Sequence, residues 1–167
     1  MSLKPLLKRR DLLLLVLGLA SKYSDVRVND NPVVSSRLRV MKLMFLLQKE
    51  LPDVVGKLLS EKPYEFKPYL HGPFSKEILD DLDRLAREGL IKQHYVDLDP
   101  YGISYQVNFE ITKEGQKRVN ELISKLPREL VDEIENKVIK KYMSWSLRRL
   151  LDYVYSRYPE ESTPAFY

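Results

Sequence analysis

The sequence contains no cysteine and only two histidines, His71 and His94. The absence of cysteine excludes a disulfide framework, a thiolate nucleophile and a cysteine-ligated zinc site, and it is typical of a reducing, cytoplasmic compartment. The sequence also has no glycine-rich phosphate-binding loop, no nucleophile elbow and no metal-ligand spacing. We therefore predict a cytoplasmic protein that is not an enzyme and that uses no cofactor and no metal.

Two groups of polar residues superficially resemble catalytic or metal sites. His71 lies close in sequence to Glu65, as an acid–base pair would, but a histidine that hydrogen-bonds its own turn is the simpler interpretation. Asp80, Asp81 and Asp83 resemble a metal cluster, yet adjacent residues diverge by about 100° on a helix, and no loop glycine completes a calcium site. Neither group changes the prediction of a non-enzymatic role.

Long apolar segments are also missing. The apolar run 12–20 follows Lys8, Arg9 and Arg10 and so resembles a signal peptide, but it is far shorter than the ~20 residues that cross a bilayer. We favour the interpretation as a buried first helix, and we expect no membrane association.

Residues 65–112 show a pattern typical of a winged helix. It comprises a short aromatic strand, an amphipathic helix and an antiparallel pair of strands, at 65–70, 73–89, 91–96 and 104–111. Pro73 suits the first position of the helix, because the N–H that it lacks would have no partner there. Gly89 suits a left-handed cap at the end of the helix. Residues 97–102 supply the turn between the last two strands.

Helices are predicted on both sides of this segment. After a turn at 29–32, Ser35 or Ser36 can cap a helix that begins near Arg37, and its dense apolar positions predict the central helix of the protein. Further apolar stripes follow Thr112 and Ser144, with Pro127 interrupting the first of them.

The composition is that of one compact domain, since 44% of the 167 residues are hydrophobic and can form a core. We predict an α+β fold that is mostly α-helical. A winged helix-turn-helix core with a small antiparallel sheet is expected over 1–112. The C-terminal helices, 113–167, are expected to pack on it as part of a single compact unit.

Four segments together resemble a known family. They are KLMFLLQ (42–48), YEFKPYLHGPFSKE (64–77), EGLI (88–91) and LLDYVYSRYPE (150–160). They are similar to the YwgA-type proteins and, more distantly, to the Panacea domain, an antitoxin module also found in phage-associated proteins. The resemblance covers most of 35–160. It implies a helical, winged-helix-like module that acts by binding, without catalytic residues.

The charge distribution bears on whether such a module binds DNA. The first 50 residues carry ten Lys or Arg against four Asp or Glu, whereas the helix 73–89 carries three against five. An acidic helix is poorly suited to the major groove. We therefore place the candidate nucleic-acid-binding residues in the first two helices, at Arg9, Arg10, Arg37, Arg39 and Lys42. The alternative is that these residues form an ordinary solvated helix face.

Aromatic residues near the carboxyl end suggest a protein partner instead. The candidate partner-binding residues are Trp145, Tyr153, Tyr155 and Tyr158, with Phe166 and Tyr167 beyond them. Packing of these aromatics into the core is the simpler interpretation, and a homodimer through the last helices is compatible with both. We predict a DNA-binding transcriptional regulator, with an antitoxin-like or adaptor module as the alternative.

Overall fold

The computed structural model describes residues 7–163 as an α+β fold. The helices are α1 (Arg9–Ser21), α2 (Arg37–Glu50), α3 (Pro52–Leu58), α4 (Lys76–Arg87), α5 (Lys113–Lys125), α6 (Arg128–Ile134), α7 (Lys140–Met143), α8 (Leu147–Arg157) and α9 (Pro159–Ser162). The strands are β1 (Arg27–Val28), β2 (Asn31–Ser35), β3 (Lys67–Tyr69), β4 (Gly72–Phe74), β5 (Ile91–Asp97) and β6 (Tyr105–Ile111). A π-helical turn, Glu135–Ile139, joins α6 to α7. No described helix is both long and apolar enough to cross a membrane.

The main sheet is antiparallel throughout, in the order β1-β2-β6-β5. The predicted pairing of β5 with β6 is confirmed, with Tyr95 opposite Val107. Strands β1 and β2 were not predicted, although the turn between them was. Asn29 and Asp30 form that turn with positive φ angles of 50° and 65°, as a tight hairpin requires.

The predicted strand at 65–70 does not join this sheet, and the prediction that a helix begins at Pro73 is wrong. Instead, β3 and β4 form a separate two-stranded hairpin in which Pro68 lies opposite Pro73. Gly72, with a φ of 96°, reverses the chain, and the fixed φ of Pro73 suits an extended residue as well as a helical one. The helix begins at Lys76, after Ser75 as its N-terminal flanking residue.

Helices α1 and α2 form the centre of the core. The predicted buried first helix is confirmed, since every residue from Leu12 to Ser21 is buried. Helix α2 is central, as predicted, and Ser36 caps it by accepting a hydrogen bond from the Arg39 N–H at 3.1 Å. Gly89 follows α4 with a φ of 76°, which confirms the predicted left-handed cap.

A single apolar cluster joins the predicted core to the C-terminal helices. It extends from Leu7 to Val154 and includes Val119 of α5, Tyr142 of α7 and Leu150 of α8. The division of the chain into 1–112 and 113–167 remains a prediction. Residues 1–6 and 164–167, at the outer ends of these two parts, lie outside the described part of the chain.

Candidate nucleic-acid interface

Arg9 and Arg10, two of the predicted phosphate ligands, are already paired with acidic side chains. The Arg9 guanidinium lies 2.6 Å from the Glu77 carboxylate and over the ring of Tyr64, and Arg10 lies 3.6 Å from Glu88. Both acidic residues lie at or next to α4. These arginines therefore join α1 to α4, and their charges are largely compensated within the protein.

Lys42 does not lie on an exposed basic face. Its side chain projects beneath the β3–β4 hairpin, where it is only 1% exposed and donates a hydrogen bond from Nζ to the Pro73 carbonyl at 3.0 Å. Burial lowers the pKa of this amine from 10.5 to about 8, because a buried ammonium loses its hydration. Lys42 in this position is inaccessible to a phosphate backbone, so it does not belong to an exposed basic face, contrary to the prediction.

Arg37 and Arg39 lie at the start of α2. Arg37 is half-buried, and Arg39 is 8% exposed, with its Nη1 donating to the Tyr142 carbonyl at 3.3 Å. Burial lowers the pKa of the Arg39 guanidinium. This contact of Arg39 joins the start of α2 to α7, next to Trp145, which the sequence prediction assigned to protein binding.

Trp145, predicted to bind a protein partner, lies beside Arg39. The two residues line one pocket of about 230 Å³, together with Asp25 and four serines, Ser24, Ser35, Ser144 and Ser146. The Arg149 guanidinium lies 4.0 Å from the centroid of the indole ring, and the Lys141 amine lies 6.0 Å from it. Trp145 therefore holds two cations next to the buried Arg39.

We define the basic surface as Arg37, Arg39, Lys141, Arg148 and Arg149. Ser146 caps α8 by accepting from the Arg149 N–H at 3.1 Å, which places Arg148 and Arg149 in the first turn of that helix. Leu147 and Arg37 line a common cleft, so the two helix starts are adjacent. Across residues 7–163, none of these five cations forms an ion pair with a carboxylate.

The sequence carries a signal for this surface that the prediction missed. Residues 136–151 contain five Lys or Arg and no Asp or Glu. Averaging the charge over the whole C-terminal third conceals this run, because acidic residues flank it on both sides.

The other predicted partner-binding aromatics attach the C-terminal helices to the core. The Tyr153 hydroxyl donates to Glu50 at 3.1 Å, and the Tyr155 hydroxyl donates to the Leu70 carbonyl at 3.3 Å. Tyr158 packs edge to face with Phe45. The structure does not bring them together as one exposed aromatic face. Phe166 and Tyr167 lie outside the described residues.

Helix α4 presents a surface that is close to neutral. Two of its acidic side chains are engaged within the protein, Glu77 with Arg9 and Asp81 with the Tyr64 hydroxyl at 2.6 Å. The exposed charges at α4 and its C-terminal cap are Lys76, Arg84 and Arg87 against Asp80, Asp83 and Glu88. This helix therefore offers little attraction to DNA phosphates.

The tip of the β5–β6 hairpin carries an exposed apolar patch. We define the hairpin tip as Tyr95, Val96, Leu98, Tyr101, Ile103 and Tyr105. Tyr101 is 85% exposed and Ile103 is 80% exposed. Asp99 fixes the turn by accepting hydrogen bonds from the N–H groups of Ser104, Ile103 and Tyr101, which lower the pKa of its carboxyl. The sequence prediction identified residues 97–102 as a turn and did not predict this patch.

The described side chains form no candidate metal-binding site. Within residues 7–163, no group of three or more His, Asp or Glu side chains is arranged to hold a metal ion.

Comparison with known proteins adds no assignment. No model of a known protein family matches the chain, and no curated protein is significantly similar to it. The resemblance to YwgA-type proteins therefore remains a prediction from the four segments that carry it.

Proposed function

We propose that this protein is a non-enzymatic winged-helix regulatory module that binds DNA through the basic surface. The order of elements supports the winged-helix assignment: α1, β2, α2, α4, β5 and β6 follow one another, and the sheet order β2-β6-β5 pairs the first strand with the last. Helix α3 and the β3–β4 hairpin are then an insertion between the second and third helices of the motif.

The uncompensated charge of the basic surface is the observation that carries the proposal. Five cations without carboxylate partners repel one another, and a polyanion relieves that repulsion while it releases its own counterions. The stack of Arg149 on Trp145 restricts the guanidinium, so less side-chain freedom is lost when it contacts a phosphate. Asp25 is the one carboxylate in the described part of the chain that lines the adjoining pocket.

The proposed mode of binding differs from insertion of α4 into the major groove. The exposed charges at α4 and its C-terminal cap balance, and Arg9 and Arg10 pair with Glu77 and Glu88. Contacts from the basic surface to the phosphate backbone position a protein without reading bases, so we expect weak dependence on DNA sequence.

Fluorescence anisotropy on a labelled duplex tests this proposal. Phosphate contacts from the four members of this surface that are not buried, Arg37, Lys141, Arg148 and Arg149, predict a slope of about −4 for log affinity against log salt concentration. The double variant Arg37→Gln with Arg148→Gln removes two contacts and should reduce the steepness by about 2. Arg128→Gln, at an exposed position of α6 away from the basic surface, is the matched control and should bind as the wild type does.

Two results would contradict the proposal. One is the absence of binding at low salt. The other is equal salt dependence for the wild type and the double variant, because phosphate contacts made elsewhere would not respond to these substitutions.

The exposed hairpin tip favours a second candidate function, a protein-binding adaptor or antitoxin-like module. Strand β5 lies at the edge of the sheet, so its outer backbone groups can pair with another strand. A second copy of this chain offers the same apolar edge, which makes a symmetric dimer the first form to test.

Sedimentation velocity over a concentration series measures this association. A dimer that Tyr101→Ser with Ile103→Ser converts to a monomer would support docking through the hairpin tip. A wild-type protein that stays monomeric at every concentration would exclude self-association, and a dimer unaffected by the two substitutions would place the interface elsewhere.

A further inference from the structure

A second pocket lies between the first half of α2 and the β3–β4 hairpin. Its volume is about 230 Å³, and its walls are mainly apolar, with Met41, Phe74 and Leu79 among the lining residues. Three basic side chains also line it, Arg37, Lys42 and His71, and no acidic residue among 7–163 does. The pocket thus combines an apolar body with a positive charge that no lining carboxylate compensates.

Lys42 is the most unusual group in this pocket. The amine has three N–H donors, and one of them donates a hydrogen bond to the Pro73 carbonyl. Among the described residues, this is the one hydrogen bond that the amine forms. Gly72 allows the hairpin to cover the amine so closely, because a Cβ at this position would lie 3.1 Å from Lys42 Cε. A buried cation of this kind is costly unless an anion or further acceptors approach it.

We propose that this pocket binds a small monocarboxylate with an apolar, ring-sized body. The carboxylate would accept hydrogen bonds from Lys42 Nζ and from the Arg37 guanidinium at the rim, while the ring lies against Met41, Phe74 and Leu79. A cavity of about 150 Å³ holds a benzene ring, so this pocket has room for a ring and a carboxylate. A phosphate dianion fits poorly, because most of the wall offers it no hydrogen-bond donors.

This inference does not rest on DNA binding, and it is tested on the protein alone. Benzoate is the probe, and benzamide and benzylamine are matched controls of the same size that are neutral and cationic. Isothermal titration at pH 7 should show saturable binding of benzoate. Benzamide should bind at least about 10-fold more weakly, because the charge-assisted hydrogen bond is lost, and benzylamine should not bind.

Two single-site variants assign the binding to Lys42. Lys42→Met keeps the apolar stem and removes the charge, and it should weaken benzoate binding by about 10-fold or more. Lys49→Met, on the same helix but outside the pocket, is the control and should bind benzoate as the wild type does. A thermal melt of each variant confirms that it is folded.

Any of three results overturns the inference: no saturable benzoate binding, equal affinity for benzoate and benzamide, or unchanged benzoate binding by Lys42→Met. The comparison of the three probes uses the wild-type protein, so it decides the matter even when the Lys42 variant fails to fold.

Discussion

Replacing Lys42 with methionine should increase the free energy of unfolding at neutral pH. This gain over the wild type should disappear as the pH rises above 8. Lys42 is 1% exposed, and burial lowers its pKa from 10.5 to about 8. At pH 7 the amine is charged in both the folded and the unfolded chain, so the folded state carries the full cost of burying the charge. Methionine has a similar length and no charge to bury.

The pKa of Lys42 sets the size of this effect. The fall from 10.5 to about 8 corresponds to about 3 kcal/mol at pH values below 8. Loss of the hydrogen bond to the Pro73 carbonyl offsets about 1 kcal/mol of the gain, so we expect Lys42→Met to be about 2 kcal/mol more stable at pH 7.

The sign of the pH dependence follows from proton binding. Between pH 8 and 10.5 the unfolded chain binds more protons at Lys42 than the folded chain does, so the wild type gains stability relative to the variant as the pH rises. Near pH 10.5 the order reverses, and the variant is then the less stable protein by about 1 kcal/mol, the contribution of the lost hydrogen bond.

Urea unfolding of both proteins at a series of pH values from 6.5 to 10.5 measures the difference. Tyrosines with raised pKa, such as Tyr64 and Tyr142, affect both proteins alike and cancel in the comparison. Lys57→Met, at an exposed position on α3, controls for the loss of one lysine. A free-energy difference between wild type and Lys42→Met that stays constant with pH would refute the reasoning.

Substitutions at four further positions test the packing and the capping of α2 by urea unfolding at pH 7. Gly115→Ala should destabilise by about 2 kcal/mol or more, because the new Cβ would lie 1.9 Å from a backbone oxygen, whereas Gly56→Ala meets nothing within 4 Å and should be neutral or stabilising. Equal effects at the two glycines would contradict this. Ser36→Ala should cost about 1 kcal/mol through the lost cap, and Ser36→Gly less, because glycine relieves the φ of 75°. Phe109→Ala should cost about 3 to 5 kcal/mol, and a smaller loss would mean that this part of the core collapses around the cavity.

Local signals in the sequence were sufficient for the first two helices, for the end of α4 and for one hairpin. The cap at Ser36 and the apolar periodicity after it act within a few residues, and the same holds for Gly89 and the β5–β6 pair. Strand β2 was not predicted, because it is short and contains Pro32. Its partner, β6, also lies more than 70 residues further along the chain. The helix start predicted at Pro73 was wrong, because the fixed φ of proline is compatible with both the first turn of a helix and a strand.

The candidate site was only partly predictable, since the role of a charge depends on what folds against it. Arg9 and Arg10 appear free in the sequence but meet acidic groups at α4, and the β3–β4 hairpin buries Lys42. Arg37 and Arg39, both in the candidate set, lie together at the start of α2. The association of Arg39 with Trp145 could not be predicted from the sequence, because more than 100 residues separate them.

Arg37 belongs to two features at once, the basic surface and the rim of the Lys42 pocket. A carboxylate bound in the pocket would engage the guanidinium that a phosphate needs, so the two proposed ligands would oppose each other. By thermodynamic linkage, DNA would weaken the affinity for the small acid by the same factor as the acid weakens the affinity for DNA. If both proposals hold, this shared arginine makes the protein a sensor, in which an effector concentration sets the occupancy of DNA.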